Sequence, residues 1–166
     1  MLYYALQRKP AIQGVISTGA GLHTVLMEQK LKVFLAKLLG SIMPTGSMAS
    51  GLNPNSISRD PTVVESYIRD PLVHDRISFA MGKNSINAIG WIFAHAREFH
   101  IPLLVMHGME DKLGYPTGSQ EFARLVNKEL CTLKLWDKLT HEIHNEPEKA
   151  EVFKVMVEWL DAQIKK

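Results

Sequence analysis

The sequence predicts an α/β fold with about three parallel strands and flanking helices. Two observations carry that expectation. Short apolar or β-branched runs at residues 12–16, 101–106 and 132–136 alternate with longer stretches of helical period. The middle run, Ile101-Pro-Leu-Leu-Val-Met106, has no polar alternation and ends at His107-Gly108, as expected of a strand buried on both faces in a parallel sheet. With 166 residues, 46% hydrophobic and 22% charged, the chain has the length and composition of one globular domain. Residues 1–166 are therefore read as a single unit.

Residues 1–8 read as helix, with no Ser, Thr, Asp or Asn ahead to cap the first turn, so the chain is expected to start in mid-element. Lys9-Pro10 ends that helix, and Ile12–Ile16 forms the first strand, closed by Ser17-Thr18-Gly19-Ala20-Gly21. From Leu22 to Ile42, Leu26, Leu31, Phe34, Leu35, Leu38 and Leu39 recur at helical spacing, which predicts one amphipathic helix. Residues 43–62 are rich in Pro, Gly and Ser and read as an irregular excursion. Asp60-Pro61 opens a short helix that Asp70-Pro71 closes, and residues 84–99 form a longer one. After the second strand comes a helix at 118–128, and Thr132–Trp136 supplies the third strand. In the last helix Asn145 and Glu148 resemble a capping box, and Val152, Met156, Trp159, Leu160 and Ile164 share an apolar face. No internal repeat is present.

Nineteen Lys and Arg against seventeen Asp and Glu leave a net charge of +2 and no basic stripe, which argues against a nucleic-acid partner. The single cysteine, Cys131, excludes an internal disulfide and a Cys-rich zinc site, and fits a reducing compartment, so the cytoplasm is the expected location. No apolar run approaches the length of a spanning helix, and the N-terminus lacks the order of a signal peptide.

In such a sheet, chemistry collects where strands end at their carboxyl side. Ser17 follows the first strand, His107, Glu110 and Asp111 the second, and Thr140-His-Glu-Ile-His144 the third. An acid after one strand and a histidine after the next is the arrangement by which a carboxylate orients a catalytic imidazole, which makes Asp111 and His141 the candidate pair. Position alone leaves open a turn role for the acid and a surface role for the histidine.

Pro102-Leu-Leu-Val-Met-His-Gly-Met-Glu-Asp111, with Leu139-Thr-His-Glu-Ile-His-Asn-Glu-Pro-Glu148, resembles the C-terminal half of the monoacylglycerol lipase and lysophospholipase group of α/β-hydrolases, often grouped with serine aminopeptidases. Ser58-Arg-Asp-Pro61 and Asp70-Pro-Leu-Val-His74 resemble that group's cap region. The resemblance implies a partial α/β-hydrolase fold with a helical cap insertion at about residues 22–85. It implies Asp111 as the acid and His141 as the base of a serine triad cleaving fatty acyl esters, with no cofactor.

The group's nucleophile sits in a Gly-x-Ser-x-Gly elbow, and none of the eleven glycines here begins that pattern. By the resemblance, Met1 falls a few residues after the missing serine, and the oxyanion-hole donors would also precede it. The chain is thus expected to be the truncated C-terminal portion of an ester hydrolase, inactive alone. Ser17 does not stand in an elbow and reads as a loop hydrogen-bonding residue, while Cys131 reads as a packed small hydrophobe. His141-Glu142-Ile143-His144 lacks the His-Glu-x-x-His spacing, so no metal is expected. His95 and His100 read as a solvated helix end.

The Leu26–Met43 face reads equally as core or as the wall of an acyl pocket, and Met27, Met43 and Met48 suit an adaptable groove or a lid making peripheral membrane contact. An alternative is a non-catalytic binding or assembly module. Its open sheet edge would pair with a second chain, as a homodimer or with a partner supplying an N-terminal half.

Overall fold

The computed structural model describes residues 1–164. Three parallel strands form the central sheet: β1 (Val15–Thr18), β4 (Leu103–Gly108) and β5 (Cys131–Trp136), in the order β1-β4-β5. β4 is the middle strand, paired from Val15↔Leu103 on one side and from Leu103↔Cys131 on the other. All six of its residues are buried. Their alternation assigns Leu103 and Val105 to one layer and Leu104 and Met106 to the opposite one.

The first layer holds α1 (Leu2–Arg8), the C-terminal part of α5 (Phe79–His95) and α6 (Pro116–Leu125), through Leu2, Leu6, Ile92, Phe99 and Phe122. The second is covered by α7 (Lys149–Ile164), through Val152, Val155, Met156 and Trp159. An apolar strand sandwiched between helices removes both faces of the sheet from water, which is why that run carries no polar alternation. This matches the expected partial α/β architecture.

Between β1 and β4 lie α2 (Val25–Glu28), α3 (Lys30–Leu39), the hairpin strands β2 (Ser47–Ala49) and β3 (Arg76–Ser78), and α4 (Pro61–Arg69). Several boundaries differ from the sequence expectation, each for a physical reason. The first strand runs 15–18 rather than 12–16, because β4 extends its ladder through Ser17 and Thr18 while Ile12 is folded into a turn onto Pro10. The single helix expected over 22–42 is two, interrupted at Gln29, whose ψ of 69° is not helical. The irregular 43–62 segment contains β2, paired antiparallel with β3 from Ser47↔Ser78, a partner too distant for local composition to reveal.

The helix expected at 84–99 starts at Phe79, where the Ser78 hydroxyl accepts from the Met81 N–H, and a 3₁₀ turn over 96–98 finishes it. The helix expected at 118–128 runs 116–125, and Val126 is already extended. The capping box at Asn145 and Glu148 does not form. The Asn145 amide donates to Glu142, Glu148 pairs with Arg59, and the helix starts at Lys149. On α7 the expected apolar face is divided: Val152, Met156 and Trp159 pack on the sheet, whereas Leu160 and Ile164 are exposed.

Candidate active site

The carboxyl ends of β4 and β5 lie side by side, and the loops leaving them are tied together. Met109 N–H donates to the Trp136 carbonyl and Glu110 N–H to the Leu139 carbonyl. Two glycines make this approach possible. A Cβ at Gly108 would stand 2.2 Å from the Thr140 carbonyl oxygen, so only glycine lets the 139–140 backbone cross the end of β4. Gly19, at φ +54°, would place a Cβ 2.8 Å from the His141 carbonyl oxygen, so the turn after β1 also depends on glycine.

The result brings Asp111 and His141 together. Asp111 is buried to 0% side-chain exposure and His141 retains 31%. His141 Nδ1 donates to Asp111 Oδ2 at 2.8 Å, which puts the ring proton on Nδ1 and leaves Nε2 as a lone-pair base. Asp111 Oδ1 accepts from the N–H groups of Leu113 (2.8 Å) and Gly114 (2.9 Å). Burial alone would raise the Asp111 carboxyl, but the hydrogen bonds from His107, His141 and Gly114 together hold it well below the usual carboxylate range. The Asp111 hydrogen bond in turn raises His141 above its ordinary value, against the opposing effect of burial, with the Asp111 and Glu142 charges adding to the rise. A buried carboxylate bound to Nδ1 of an imidazole whose Nε2 is left free is the geometry that an acid–base pair serving a nucleophile would require.

A second histidine completes the acid's surroundings. His107 is fully buried in β4, and its Nε2–H faces both Asp111 Oδ2 (2.9 Å) and the Gly114 carbonyl (2.7 Å). Its Nδ1 therefore accepts from the buried Ser119 hydroxyl at 2.7 Å. The sequence marks His107 as a strand-end residue without assigning this role. The available signal is a histidine within a fully apolar run, since a buried imidazole requires partners on both nitrogens.

The other candidates lie elsewhere in chemistry. Ser17 is buried within β1 opposite Val105, in regular strand rather than in the loop expected from the sequence. Burial pushes the half-buried Cys131 thiol up to about 11, so it is not an activated nucleophile at neutral pH. His144 sits in the 3₁₀ turn after His141, and among the described residues no group of three metal-ligating side chains is assembled. His95 does not form a solvated end: its ring stacks on Trp91 at 4.1 Å and its Nδ1 meets the Trp91 carbonyl.

Beside the acid loop opens an apolar cavity of about 240 Å³ whose walls include Leu26, Val33, Ala36, Met48, Ile77 and Ile89. Gly21 and Thr24 also line it, and Thr24 bridges to Gly114, whose N–H binds Asp111. The cavity therefore adjoins the Asp111 loop. The α3 face foreseen from the sequence does not form this wall: Leu31, Phe34 and Leu38 are exposed, and α3 lines the cavity with Val33 and Ala36, which lie off the expected face.

The sheet, its flanking helices and the paired acid and histidine define a partial α/β-hydrolase. The chain belongs to the serine aminopeptidase S33 family of hydrolases, whose model matches residues 1–148. It is 34% identical to a monoacylglycerol lipase of Mycolicibacterium smegmatis over 77% of this chain and 46% of that protein. It is 30% identical to the phospholipase YtpA of Bacillus subtilis over 95% of this chain and 61% of that protein. The crystal structure of a Paleococcus ferrophilus monoacylglycerol lipase superposes with a TM-score of 0.92 and 33% identity, covering 98% of this chain and 63% of that one. The chain thus spans about half the length of the lipase relative and about three fifths of the other two.

Proposed function

We propose that this chain carries the acid and base of a serine ester hydrolase acting on monoacylglycerol or lysophospholipid-type carboxylic esters. The observation that carries the reading is the 2.8 Å hydrogen bond from His141 Nδ1 to the buried Asp111, whose loop is bridged through Gly114 to Thr24 on the wall of an apolar cavity. The relatives named as a monoacylglycerol lipase and a phospholipase support the substrate class.

In the reaction, a serine hydroxyl attacks the ester carbonyl and its proton passes to His141 Nε2. Asp111 holds the imidazole in the Nδ1–H tautomer and stabilises the imidazolium that forms. His141 then returns the proton to the leaving alcohol, and activates water to release the acyl group. The 166 residues contain no Gly-x-Ser-x-Gly elbow, and in this reading the serine is supplied from outside them and the chain alone is inactive. In this reading the segment at about 22–85 is the cap, its cavity takes the acyl chain, and the exposed face of α3 touches the lipid surface.

A non-hydrolysable ether analogue of a monoacylglycerol tests the substrate class. Ser85 is an exposed lining residue, so Ser85→Trp fills the cavity mouth without entering the core. Calorimetry is expected to show saturable binding that weakens at least about tenfold in this variant, a change of about 1.4 kcal/mol. Equal binding by both proteins would remove the cavity from the account.

A second reading, as an assembly module, draws on the open edge of β1, which pairs with β4 on one side only. It predicts a homodimer or a complex with a chain supplying further strands, visible as a shift in gel filtration.

A further inference from the structure

The loop that carries His141 is clasped by a distant segment through one buried carboxylate. Glu146 has 0% side-chain exposure, and both its oxygens are engaged. Oε1 accepts from the Thr140 N–H at 2.8 Å and from the Thr140 hydroxyl. Oε2 accepts from the Arg59 N–H at 3.2 Å and from Arg59 Nε at 3.0 Å. Arg59 also reaches Glu148. Two further bonds join the same segments: Glu142 N–H donates to the Ile57 carbonyl at 2.8 Å, and the Ser58 hydroxyl donates to the Asn145 carbonyl at 2.9 Å.

Residues 57–59 therefore hold the His141 loop on both sides of the imidazole. Packing alone does not require an ion there, because burying a carboxylate is costly unless every lone pair finds a donor. What the carboxylate supplies is direction. It fixes the backbone N–H of the residue immediately before His141 from six residues along the same loop, and through Arg59 it ties that loop to a segment 87 residues away in sequence.

We infer that Glu146 and Arg59 are positioning residues for His141, a cross-link that sets the imidazole against Asp111 and couples it to the segment leading into α4. The inference rests on the proposed role of His141 as the base. Because that segment belongs to the region between β1 and β4 that also builds the apolar cavity, a displacement there reaches the base through Thr140. The groups facing His141 itself are Asp111 and Glu142; Arg59 and Glu148 act through the loop.

The test uses the full chain with ¹⁵N-labelled histidine. Nuclear magnetic resonance follows the His141 Nδ1–H signal and the titration midpoint of its ring, and hydrogen exchange follows the amides of Thr140 and Glu142. In the unaltered chain the Nδ1–H signal is expected to persist and the midpoint to lie above the ordinary value of about 6.5. Glu146→Gln and Arg59→Ala are each expected to speed amide exchange at least about tenfold and to move the midpoint down toward the ordinary value. Arg59→Lys keeps the charge without the two-point grip and is expected to recover only part of the shift. Val64→Ala, a buried change in α4 outside the network, controls for general destabilisation and is expected to leave the midpoint in place.

If both network variants fold and keep the His141 midpoint and signal, the cross-link has no positioning role. If Glu146→Gln fails to fold, the partly exposed Arg59→Ala decides the matter in the same way. A midpoint that is not raised in the unaltered chain overturns the acid–base pair itself, and the positioning claim with it. A raised midpoint that no variant moves overturns the positioning claim alone.

Discussion

His107 donates from Nε2 to Asp111 Oδ2 across 2.9 Å, with both side chains at 0% exposure, so the same carboxylate oxygen serves two histidines. His107 is the inner one, and it connects the acid to α6 through the Ser119 hydroxyl. Its removal leaves Ser119 without its acceptor, Asp111 short of a donor and a void in the centre of the sheet. His107→Ala is expected to lower the unfolding free energy by about 3 kcal/mol, from the combined loss of buried hydrogen bonds and packing. His107→Gln, which keeps an amide donor within reach of Asp111, is expected to cost distinctly less. Urea unfolding at neutral pH measures both, and an alanine variant within about 0.5 kcal/mol of the unaltered chain would contradict the role given to His107.

The two shifted groups give stability a defined pH window. Asp111 is held below its ordinary value of about 4, so its contribution is present above that pH and is lost as pH falls through the folded value. His141 is raised, so its contribution is full below about pH 6.5 and is lost as pH rises through its folded value. The pair is therefore most stabilising between about pH 4 and 6.5. The difference in unfolding free energy between the chain and His141→Gln is expected to be larger at about pH 5.5 than at about pH 9. A difference that does not change with pH would mean that Asp111 does not favour the charged form of His141 in the folded chain.

Leu31, Phe34 and Leu38 follow one another along α3 at helical spacing, and they are 71%, 59% and 50% exposed; Ile42, just beyond the helix, adds another 71%. Lys30 and Lys37 stand on the same helix. Apolar anchors beside cations suit a lipid surface. The chain is expected to co-sediment with phosphatidylcholine vesicles containing phosphatidylglycerol. Leu31→Glu with Phe34→Glu is expected to lower that binding at least about tenfold, since each buried side chain is worth about 1.5–3 kcal/mol. Undiminished co-sedimentation would place the lipid contact elsewhere or remove it.

The elements that local pattern specifies were legible from the sequence. The apolar β4 run follows from its unbroken apolar composition, the Asp60-Pro61 helix start from its end signal, and the long C-terminal helix from its periodicity, although its expected cap does not form. The β2–β3 hairpin was not, because three-residue strands show no period and their pairing spans the whole of α4. Nor was the break at Gln29, where α2 and α3 separate within a continuous apolar repeat.

In the site, Asp111 and His141 stood out because strand ends concentrate chemistry and because the flanking motifs resemble a known group. His107 and Glu146 did not, since their roles lie in partners reached only after folding: Ser119 and Gly114 for the one, Thr140 and Arg59 for the other. A polar residue inside an apolar strand or at a loop end shows its partners only once the tertiary contacts are made.

The measurement that tests the central claim most directly is intact mass after exposure to a fluorophosphonate probe, which modifies only an activated nucleophile. It is made on the chain alone and on the chain fused behind the elbow-bearing N-terminal segment of a monoacylglycerol lipase relative. The expected result is no adduct on the chain alone and one adduct on the elbow serine of the fusion, slowed by a factor of about 10³ or more by His141→Ala. An adduct on the chain alone, or labelling of the fusion that is indifferent to His141, would contradict the assignment of Asp111 and His141 as an acid and base that act on a serine from outside these residues.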